Sequence, residues 1–307
     1  MNKKYFFAIG ILILLVLLSI ACAFGIWFWQ RSSLDSSETE SSSTDEDTTT
    51  TTTDTISESP SDATRLIFIH HSTGENWLSD DDGELGIDLM NNNYFVSDTN
   101  YGWGSSGIGD TTDIGHWWTW FRGPDSSNYM EELYDESDQY SDYSRLSDVP
   151  TGKNEIIMFK SCFPNSALSG SQYDMVLDIG NNLLKGEDSY SSYHTVANAK
   201  GIYVDILEYF ETKQDKLFIV VTAPPLTDST YASNAKAFNA WLVSDWLADY
   251  EYNNVAVFDF FSILADDSGV LEYPTGSGDD HPSTEGNLLA TEEFTPFLND
   301  AYFEWKE

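Results

Sequence analysis

The fold is indicated first by a short run of apolar, β-forming residues, RLIFIH at positions 65–70. Three similar runs follow along the chain, EIIMF at 155–159, LFIVVT at 217–222 and VAVFD at 255–259. Their hydrophobicity is continuous rather than alternating, which is typical of strands buried on both faces of a parallel sheet. We therefore predict strands of one parallel sheet at these positions.

Helical patterns lie between and after these runs. Two stripes of apolar residues recur at steps of mainly three and four, which is the periodicity of an amphipathic helix. The stripes are Val196, Ala199, Tyr203, Ile206 and Phe210, and then Phe238, Trp241, Leu242, Trp246 and Leu247. A last helix is expected from Ser283, with a bend at Pro296. This alternation predicts an α/β fold, a three-layer α/β/α sandwich, with its chemistry at the carboxyl ends of the strands.

The N-terminal segment predicts a membrane anchor at residues 1–31. Residues 5–29 carry no charge, follow Lys3 and Lys4, and are long enough to cross about 30 Å of hydrocarbon as a helix. The two lysines place the remainder of the chain outside the cell. A lipoprotein signal with Cys22 as the lipidated residue is the alternative.

Residues 32–63 are rich in Ser, Thr, Asp and Glu and contain almost nothing apolar, which predicts a disordered stalk. Residues 64–307 are then one domain of ordinary size. The whole chain has 14 basic and 51 acidic residues, a formal charge of −37. Nucleic acid is therefore excluded as a partner, because a polyanion requires a basic surface.

The candidate nucleophile is Ser72, in HHSTG at residues 70–74, directly after the first predicted strand. The candidate base is His281, in GDDHPS at residues 278–283, just before the last predicted helix. Asp279 or Asp280 supplies the acid that orients it, or Ser72 and His281 act as a dyad without an acid. The three residue types therefore occur in the order Ser, Asp, His, which suits nucleophilic catalysis.

These blocks resemble the SGNH (GDSL-type) serine hydrolases across the whole domain. In that family the nucleophilic Ser ends the first strand, as Ser72 does, although His70-His71 replaces the usual Gly-Asp. The late block Asp-x-x-His-Pro resembles the segment at His281, although Gly278 stands at the position of the Asp. The resemblance implies a flavodoxin-like parallel sheet, ester hydrolysis and no cofactor or metal, with Asp279, or alternatively Asp280, as the acid.

The resemblance also implies an oxyanion hole built from three donors. One is the backbone N–H of Ser72. The second is the N–H of Gly102 in NYGWG at residues 100–104, with Gly107 as the alternative. The third is the side-chain amide of Asn165, in KSCFPNS at residues 160–166. Such donors stabilise the charge that develops on the carbonyl oxygen during acyl transfer.

The aromatic cluster HWWTWF at residues 116–121 is the candidate substrate-binding feature. Three tryptophans in four residues cannot all share one buried helix face, so Trp118 and Trp120 are expected at the cleft. Sugar rings stack on such surfaces, which favours an acetylated carbohydrate over a lipid or short-chain ester. A glycan-binding module that has lost catalysis is the alternative of another class.

Three further features of the sequence have both a functional and a simpler interpretation. Cys162 beside the predicted oxyanion loop could act as a nucleophile with His281, but a packed thiol is the simpler interpretation. His70 and His71 could bind a metal with His281, but adjacent residues of a strand point to opposite faces. The acidic segments at 79–84 and 266–269 do not match a full calcium-binding loop and are interpreted as solvated turns.

Overall fold

The computed structural model describes residues 58–307. The predicted anchor and residues 32–57 of the predicted stalk lie outside the described residues. Within 58–307, no helix is both long and apolar enough to span a bilayer. Pro60, inside the predicted stalk, is buried, and its carbonyl accepts a hydrogen bond from Asn93 Nδ2 at 2.8 Å. The packed region therefore begins a few residues before the predicted boundary at 64.

A five-stranded parallel sheet forms the centre of the described region, with the strand order β2-β1-β3-β4-β5. The strands are β1 (Thr64–Ile69), β2 (Tyr94–Thr99), β3 (Ile156–Lys160), β4 (Leu217–Val221) and β5 (Val255–Phe258). This is the flavodoxin-like order. The prediction of a parallel sheet from continuous apolar runs is confirmed at β1, β3, β4 and β5.

Eight α-helices surround the sheet in the described part of the chain. They are α1 (Thr73–Leu78), α2 (Leu85–Asn91), α3 (Ile114–Arg122), α4 (Ser126–Asp135), α5 (Val196–Glu211), α6 (Ala232–Ser244), α7 (Phe260–Leu264) and α8 (Thr284–Lys306). The first predicted stripe lies on α5. Phe238, Trp241 and Leu242 of the second stripe lie on α6, but α6 ends at Ser244, so Trp246 and Leu247 lie in the turn that follows it. Helix α8 begins directly after Ser283 and continues through Pro296.

Two apolar cores lie on opposite faces of the sheet, because successive strand residues point to opposite sides. On β1, Ile67 and Ile69 pack with α3, α4, α5 and α6. Leu66 and Phe68 pack with α1, α2, α7 and α8 on the other face. The predicted three-layer α/β/α arrangement is therefore confirmed.

The edge strand β2 was not predicted from the sequence. Its sequence YFVSDT ends in three polar residues, so it lacks the continuous apolar run that marked the other strands. Ser97, Asp98 and Thr99 are nevertheless fully buried. Asp98 explains this, because it accepts hydrogen bonds from residues of the long segment between α4 and β3, including the backbone N–H of Tyr140 at 2.7 Å.

The point where the strand order reverses lies between β1 and β3. The chain leaves β1 toward one edge through β2 and returns on the other side at β3. Open parallel sheets bind ligands at the carboxyl ends of such a pair of strands. The segments that follow β1 and β3, which contain Ser72 and Cys162, meet at this point.

Candidate active site

Ser72 lies in the turn that joins β1 to α1, at the carboxyl edge of the sheet. It is half-buried and caps no helix N–H with its side chain. Its Oγ lies 3.2 Å from Cys162 Sγ. The turn is tight: a Cβ at Gly74 would lie 2.4 Å from the Cβ of His70, so a larger residue cannot occupy that position without movement.

The two histidines before Ser72 point to opposite sides, as expected for consecutive residues at the end of a strand. His70 is fully buried, and its Nε2 lies 3.1 Å from Asp98 Oδ2. His71 Nε2 lies 2.5 Å from the Gly109 carbonyl, which can only accept a hydrogen bond, so Nε2 carries the proton. Burial lowers the pKa of His71, which favours its neutral form. Both histidines therefore hold the Ser72 turn rather than approach one common ion.

Cys162 contacts the hydroxyl of Ser72, and Lys160 contacts the hydroxyl of the next residue, Thr73. Lys160, the last residue of β3, is only 1% exposed, and its Nζ donates to Thr73 Oγ1 and to the Ser161 carbonyl. Burial lowers the pKa of Lys160 to about 8. Burial alone raises the pKa of the Cys162 thiol, but the charge of Lys160 and hydrogen bonds from Ser72 and Thr73 outweigh it, so this pKa is lowered.

The histidine at the other side of the site is paired with an acid. His281 Nδ1 lies 2.7 Å from Asp279 Oδ1, and the same oxygen accepts the His281 backbone N–H at 3.0 Å. These two hydrogen bonds from His281 lower the pKa of the Asp279 carboxyl. Because Nδ1–H donates to the carboxylate, the neutral imidazole keeps a lone pair on Nε2, as a general base requires.

Asp280, the alternative acid, does not contact the imidazole. Its Oδ1 accepts from the backbone N–H of Thr227 at 2.7 Å and from the Thr227 hydroxyl at 2.6 Å. The structure therefore favours Asp279, in an Asp-x-His arrangement, over Asp280. Asp280 instead ties the loop to the segment after β4.

Ser72 and His281 belong to the same edge of the sheet but are not hydrogen-bonded to each other in the described chain. The His281 ring packs edge-on against Phe163, with centroids 4.9 Å apart, and Phe163 is adjacent to Cys162. Catalytic hydrogen bonds are often long in unliganded enzymes and tighten when substrate binds.

The two glycine candidates for the oxyanion hole already use their N–H groups. The Gly102 N–H donates to Asp110 Oδ1 at 2.7 Å, and the Gly107 N–H donates to the Gly104 carbonyl at 3.1 Å. The structure thus supports neither as a free donor. The backbone N–H of Ser72, by contrast, has no hydrogen-bond acceptor among residues 58–307.

Asn165 is also engaged. Its Nδ2 donates to Asp113 Oδ1 at 2.5 Å and to the Cys162 carbonyl at 3.2 Å, and its Oδ1 accepts the Ile114 N–H at 2.8 Å. Asn165 therefore joins the loop after β3 to the start of α3. It lies in the predicted loop, but its amide protons are bound to protein groups.

The structure does not support Trp120 as a substrate-binding residue. Its ring is fully buried, stacks on Trp103 with centroids 5.8 Å apart, and donates Nε1–H to the Thr111 carbonyl. Trp118 is half-buried, and Lys185 Nζ lies 5.5 Å from its ring centroid. The helix turns the two rings to different sides, as their spacing of two residues requires.

Two residues near Ser72 were not singled out from the sequence. Tyr101 is 62% exposed and stacks on His71 with centroids 3.9 Å apart, which places an accessible aromatic ring next to the residue that precedes Ser72. Lys160 is a basic residue at the end of an otherwise apolar strand, and this unusual position is the feature by which the sequence could have pointed to it. Its burial beside Cys162 depends on the tertiary fold.

The described residues contain no cluster of metal ligands, and a large groove among them lies away from the predicted site residues. Within 58–307, no group of three or more His, Cys, Asp or Glu side chains is arranged to hold a metal ion. A groove of about 670 Å³ lies between α2 and α8, where Ile87 and Leu288 contribute to its walls. None of the predicted site residues lines this groove.

Comparisons with known proteins gave similarities at the level of structure. No family model matches the chain, and no curated protein matches it. A putative acylhydrolase from Bacteroides fragilis is 14% identical, with a TM-score of 0.45 over 80% of this chain and 91% of that one. A putative lipolytic protein of the G-D-S-L family from Desulfitobacterium hafniense is 14% identical, with a TM-score of 0.38 over 78% of this chain and 99% of that one. A carbohydrate esterase is 13% identical, with a TM-score of 0.36 over 80% and 68%.

Proposed function

We propose that the domain is an SGNH-like serine esterase that hydrolyses acyl esters, with Ser72 as nucleophile, His281 as base and Asp279 as the orienting acid. The observation that carries this proposal is the geometry at the strand-order reversal. A half-buried serine follows β1 there, and a histidine already paired with a carboxylate precedes the last helix. Nucleophile, base and acid at one edge of a parallel sheet are the parts that acyl transfer needs.

The reaction proceeds in two halves. Ser72 Oγ attacks the ester carbonyl while His281 Nε2 takes its proton, and the protonated imidazole then returns that proton to the leaving alcohol. Water repeats the sequence on the acyl-enzyme and releases the acid. Asp279 holds Nδ1–H and so keeps Nε2 available. Ser72 and His281 must approach each other when substrate binds.

The proposed oxyanion donor with the strongest support is the Ser72 N–H, because it has no acceptor within residues 58–307. Gly102 and Asn165 remain proposed donors only if substrate displaces carboxylates, Asp110 from the Gly102 N–H and Asp113 from the Asn165 amide. A preorganised donor is worth about 10²–10³ in turnover. An enzyme whose donors are occupied should therefore turn over slowly on small activated esters.

The proposed substrate is an acetyl ester on a carbohydrate. The exposed ring of Tyr101 beside His71, together with the half-buried Trp118, offers the flat surfaces on which sugar rings stack. A lipid or short-chain acyl ester is the alternative within the same reaction class. The apolar segment at residues 5–29 leads us to propose that the enzyme is anchored in the cell membrane and faces outward.

The test is labelling by a fluorophosphonate probe, which reacts with activated serines. We expect the full chain to be labelled at Ser72, as mapped by mass spectrometry, and labelling to be lost in His281→Ala. Ser244→Ala is a matched control, because Ser244 is exposed on α6 and its hydroxyl bonds only to the Ala240 carbonyl of its own helix. A folded chain that the probe does not label would refute the proposal.

A second candidate function is a glycan-binding module without catalysis. The specific observation in its favour is that carboxylates occupy the N–H of Gly102 and the amide of Asn165. Binding of acetylated oligosaccharides that is retained in Ser72→Ala, in a chain that neither releases acetate nor reacts with the probe, would establish this function instead.

A further inference from the structure

The ammonium group of Lys160 is buried without a carboxylate partner. Its Nζ donates to Thr73 Oγ1 and, at 3.3 Å, to the Ser161 carbonyl, and the Phe260 ring lies 5.9 Å away. Among residues 58–307, no acidic side chain lies within ion-pair distance of it. A buried charge is costly unless an opposite charge compensates it, so an anion near Lys160 would stabilise its protonated form.

Cys162 is the group that can provide this anion. Its Sγ lies 3.5 Å from Thr73 Oγ1, the same hydroxyl that accepts from Lys160 Nζ. The Thr73 oxygen uses one lone pair for Lys160, and its own proton is free to be donated to the sulfur. The Thr73 hydroxyl thus lies between the ammonium and the sulfur, where it can donate to a thiolate while accepting from Lys160.

The hydroxyl of Ser72 is the second group in hydrogen-bond contact with the same sulfur. Its Oγ lies 3.2 Å from Cys162 Sγ, and it makes no side-chain hydrogen bond to the N-terminus of α1. In the described chain it has no hydrogen bond to His281 either. The contact with Cys162 is thus what holds the Ser72 side chain in place at the sheet edge.

We propose that the buried Lys160 and the half-buried Cys162 form an ammonium–thiolate pair that orients the hydroxyl of Ser72, so that both are positioning residues of the proposed esterase. This inference rests on the proposed function for its catalytic consequence. The sulfur fixes the position of Oγ by accepting its proton in a hydrogen bond. Rotation about the Cβ–Oγ bond then redirects the proton to His281 during attack without moving Oγ. Cys162 neither takes the proton nor attacks the ester.

Few other ionisable groups face the pair. Tyr101 interacts with Cys162, and burial, followed by the nearby negative charges, raises the pKa of this tyrosine. His71 faces Lys160, and burial favours the neutral form of its ring. The charge state of the pair therefore depends mainly on Lys160 and Cys162 themselves.

The first measurement is the rate of alkylation of Cys162 by iodoacetamide as a function of pH, in the full chain, with the peptide of Cys22 resolved separately by mass spectrometry. We expect a midpoint below the value of about 8.5 for an ordinary thiol. We expect Lys160→Met to raise this midpoint by about one pH unit or more, a tenfold change in thiolate at a given pH. Lys200→Met is the matched control, since Lys200 is also buried but lies on α5 and bonds to the Asp174 carbonyl.

The second measurement is the rate of fluorophosphonate labelling at Ser72. We expect Cys162→Ala to lower this rate about tenfold and to lower kcat with little change in KM. Cys162→Ser should restore part of the loss, because a hydroxyl can accept the same hydrogen bond without the charge. A merely structural role for Cys162 would not separate kcat from KM.

An alkylation midpoint of Cys162 at or above that of an ordinary thiol overturns the proposed pair. This outcome can be measured on the wild-type chain alone, so the test does not depend on whether Lys160→Met folds. An unchanged midpoint in folded Lys160→Met overturns the pair as well. Equal labelling of Cys162→Ala and wild type overturns the orienting role. A lowered midpoint in a chain whose Ser72 is never labelled refutes the proposed esterase, and with it the orienting role, but leaves the ion pair supported.

Discussion

The two halves of the proposed site are held in place by different means. Ser72 follows a fully buried strand and is surrounded by buried groups, with His70 bonded to Asp98 below it. His281 lies in a surface loop whose hydrogen bonds are local, such as Thr275 N–H to the His281 carbonyl at 2.9 Å, apart from the contacts of Asp280 with Thr227. Changes on the Ser72 side should therefore affect stability as well as activity, whereas changes on the His281 side should affect activity alone.

The largest effect tests whether the two halves act as one unit. We expect Ser72→Ala and His281→Ala each to lower kcat on an aryl acetate by about 10⁴–10⁶, because nucleophile and base serve one step. The double variant should be little worse than either single variant. Initial rates with thermal melting as a folding control measure this, and His281→Ala retaining a tenth of the activity would contradict it.

The next prediction concerns stability, which should distinguish the Ser72 half of the proposed site from the His281 half. We expect Asp98→Asn to lower the free energy of unfolding by about 2–4 kcal/mol, because an amide cannot accept all of the hydrogen bonds that the buried carboxylate accepts. Asp279→Asn on the exposed loop is the control and should change stability by less than about 0.5 kcal/mol. Urea denaturation of both variants gives the comparison, and equal losses would remove the distinction between the two halves.

The same carboxylate makes the Ser72 half sensitive to acid. Burial alone raises the pKa of Asp98, but hydrogen bonds from His70, Tyr140 and Ser141 outweigh it, so its pKa in the folded chain is lowered. A carboxyl with a depressed pKa stabilises the fold above its unfolded value of about 4, and this contribution is lost as the pH falls through the folded pKa. The stability difference between wild type and Asp98→Asn should therefore shrink below about pH 4. A difference that stays constant down to pH 2 would show that ionisation of Asp98 contributes nothing.

A smaller effect distinguishes the two acids of the His281 loop. We expect Asp279→Asn to lower kcat/KM about 10- to 100-fold, because it loses the acceptor for Nδ1–H, while solvent near this exposed group weakens the electrostatic part. Asp280→Asn should lower it only about two- to fivefold, since Asp280 anchors the loop through Thr227. Steady-state kinetics of both variants measure the two losses, and a larger loss in Asp280→Asn than in Asp279→Asn would assign the acid to Asp280 instead.

The smallest effect concerns the aromatic surfaces. We expect Tyr101→Ala to raise KM on an acetylated oligosaccharide about three- to tenfold while sparing a small aryl acetate, because a sugar ring loses its stacking partner. Trp118→Ala should act in the same direction but less, since its ring is already half-buried. Equal effects on both substrates would contradict the carbohydrate hypothesis.

Much of the scaffold could be predicted because it depends on local pattern. The apolar runs at β1, β3, β4 and β5 and the stripes of α5 and α6 marked those elements directly. Strand β2 could not be found in this way, because the burial of Ser97 and Asp98 depends on hydrogen bonds with residues about 40 positions later. Trp120 was misplaced for a related reason: helical periodicity shows that two rings diverge but not which one faces the core.

The sequence by itself determined the layered α/β architecture and the position of Ser72 at the end of a buried strand, because continuous hydrophobicity and chain order are properties of the sequence. Only the tertiary structure decided the partners of the polar groups. The choice of Asp279 over Asp280, the occupied N–H of Gly102 and the contact between Ser72 and Cys162 all follow from packing. A hydrogen bond requires a distance of about 3 Å between two atoms, and residues 90 positions apart reach that distance only when the strands are assembled.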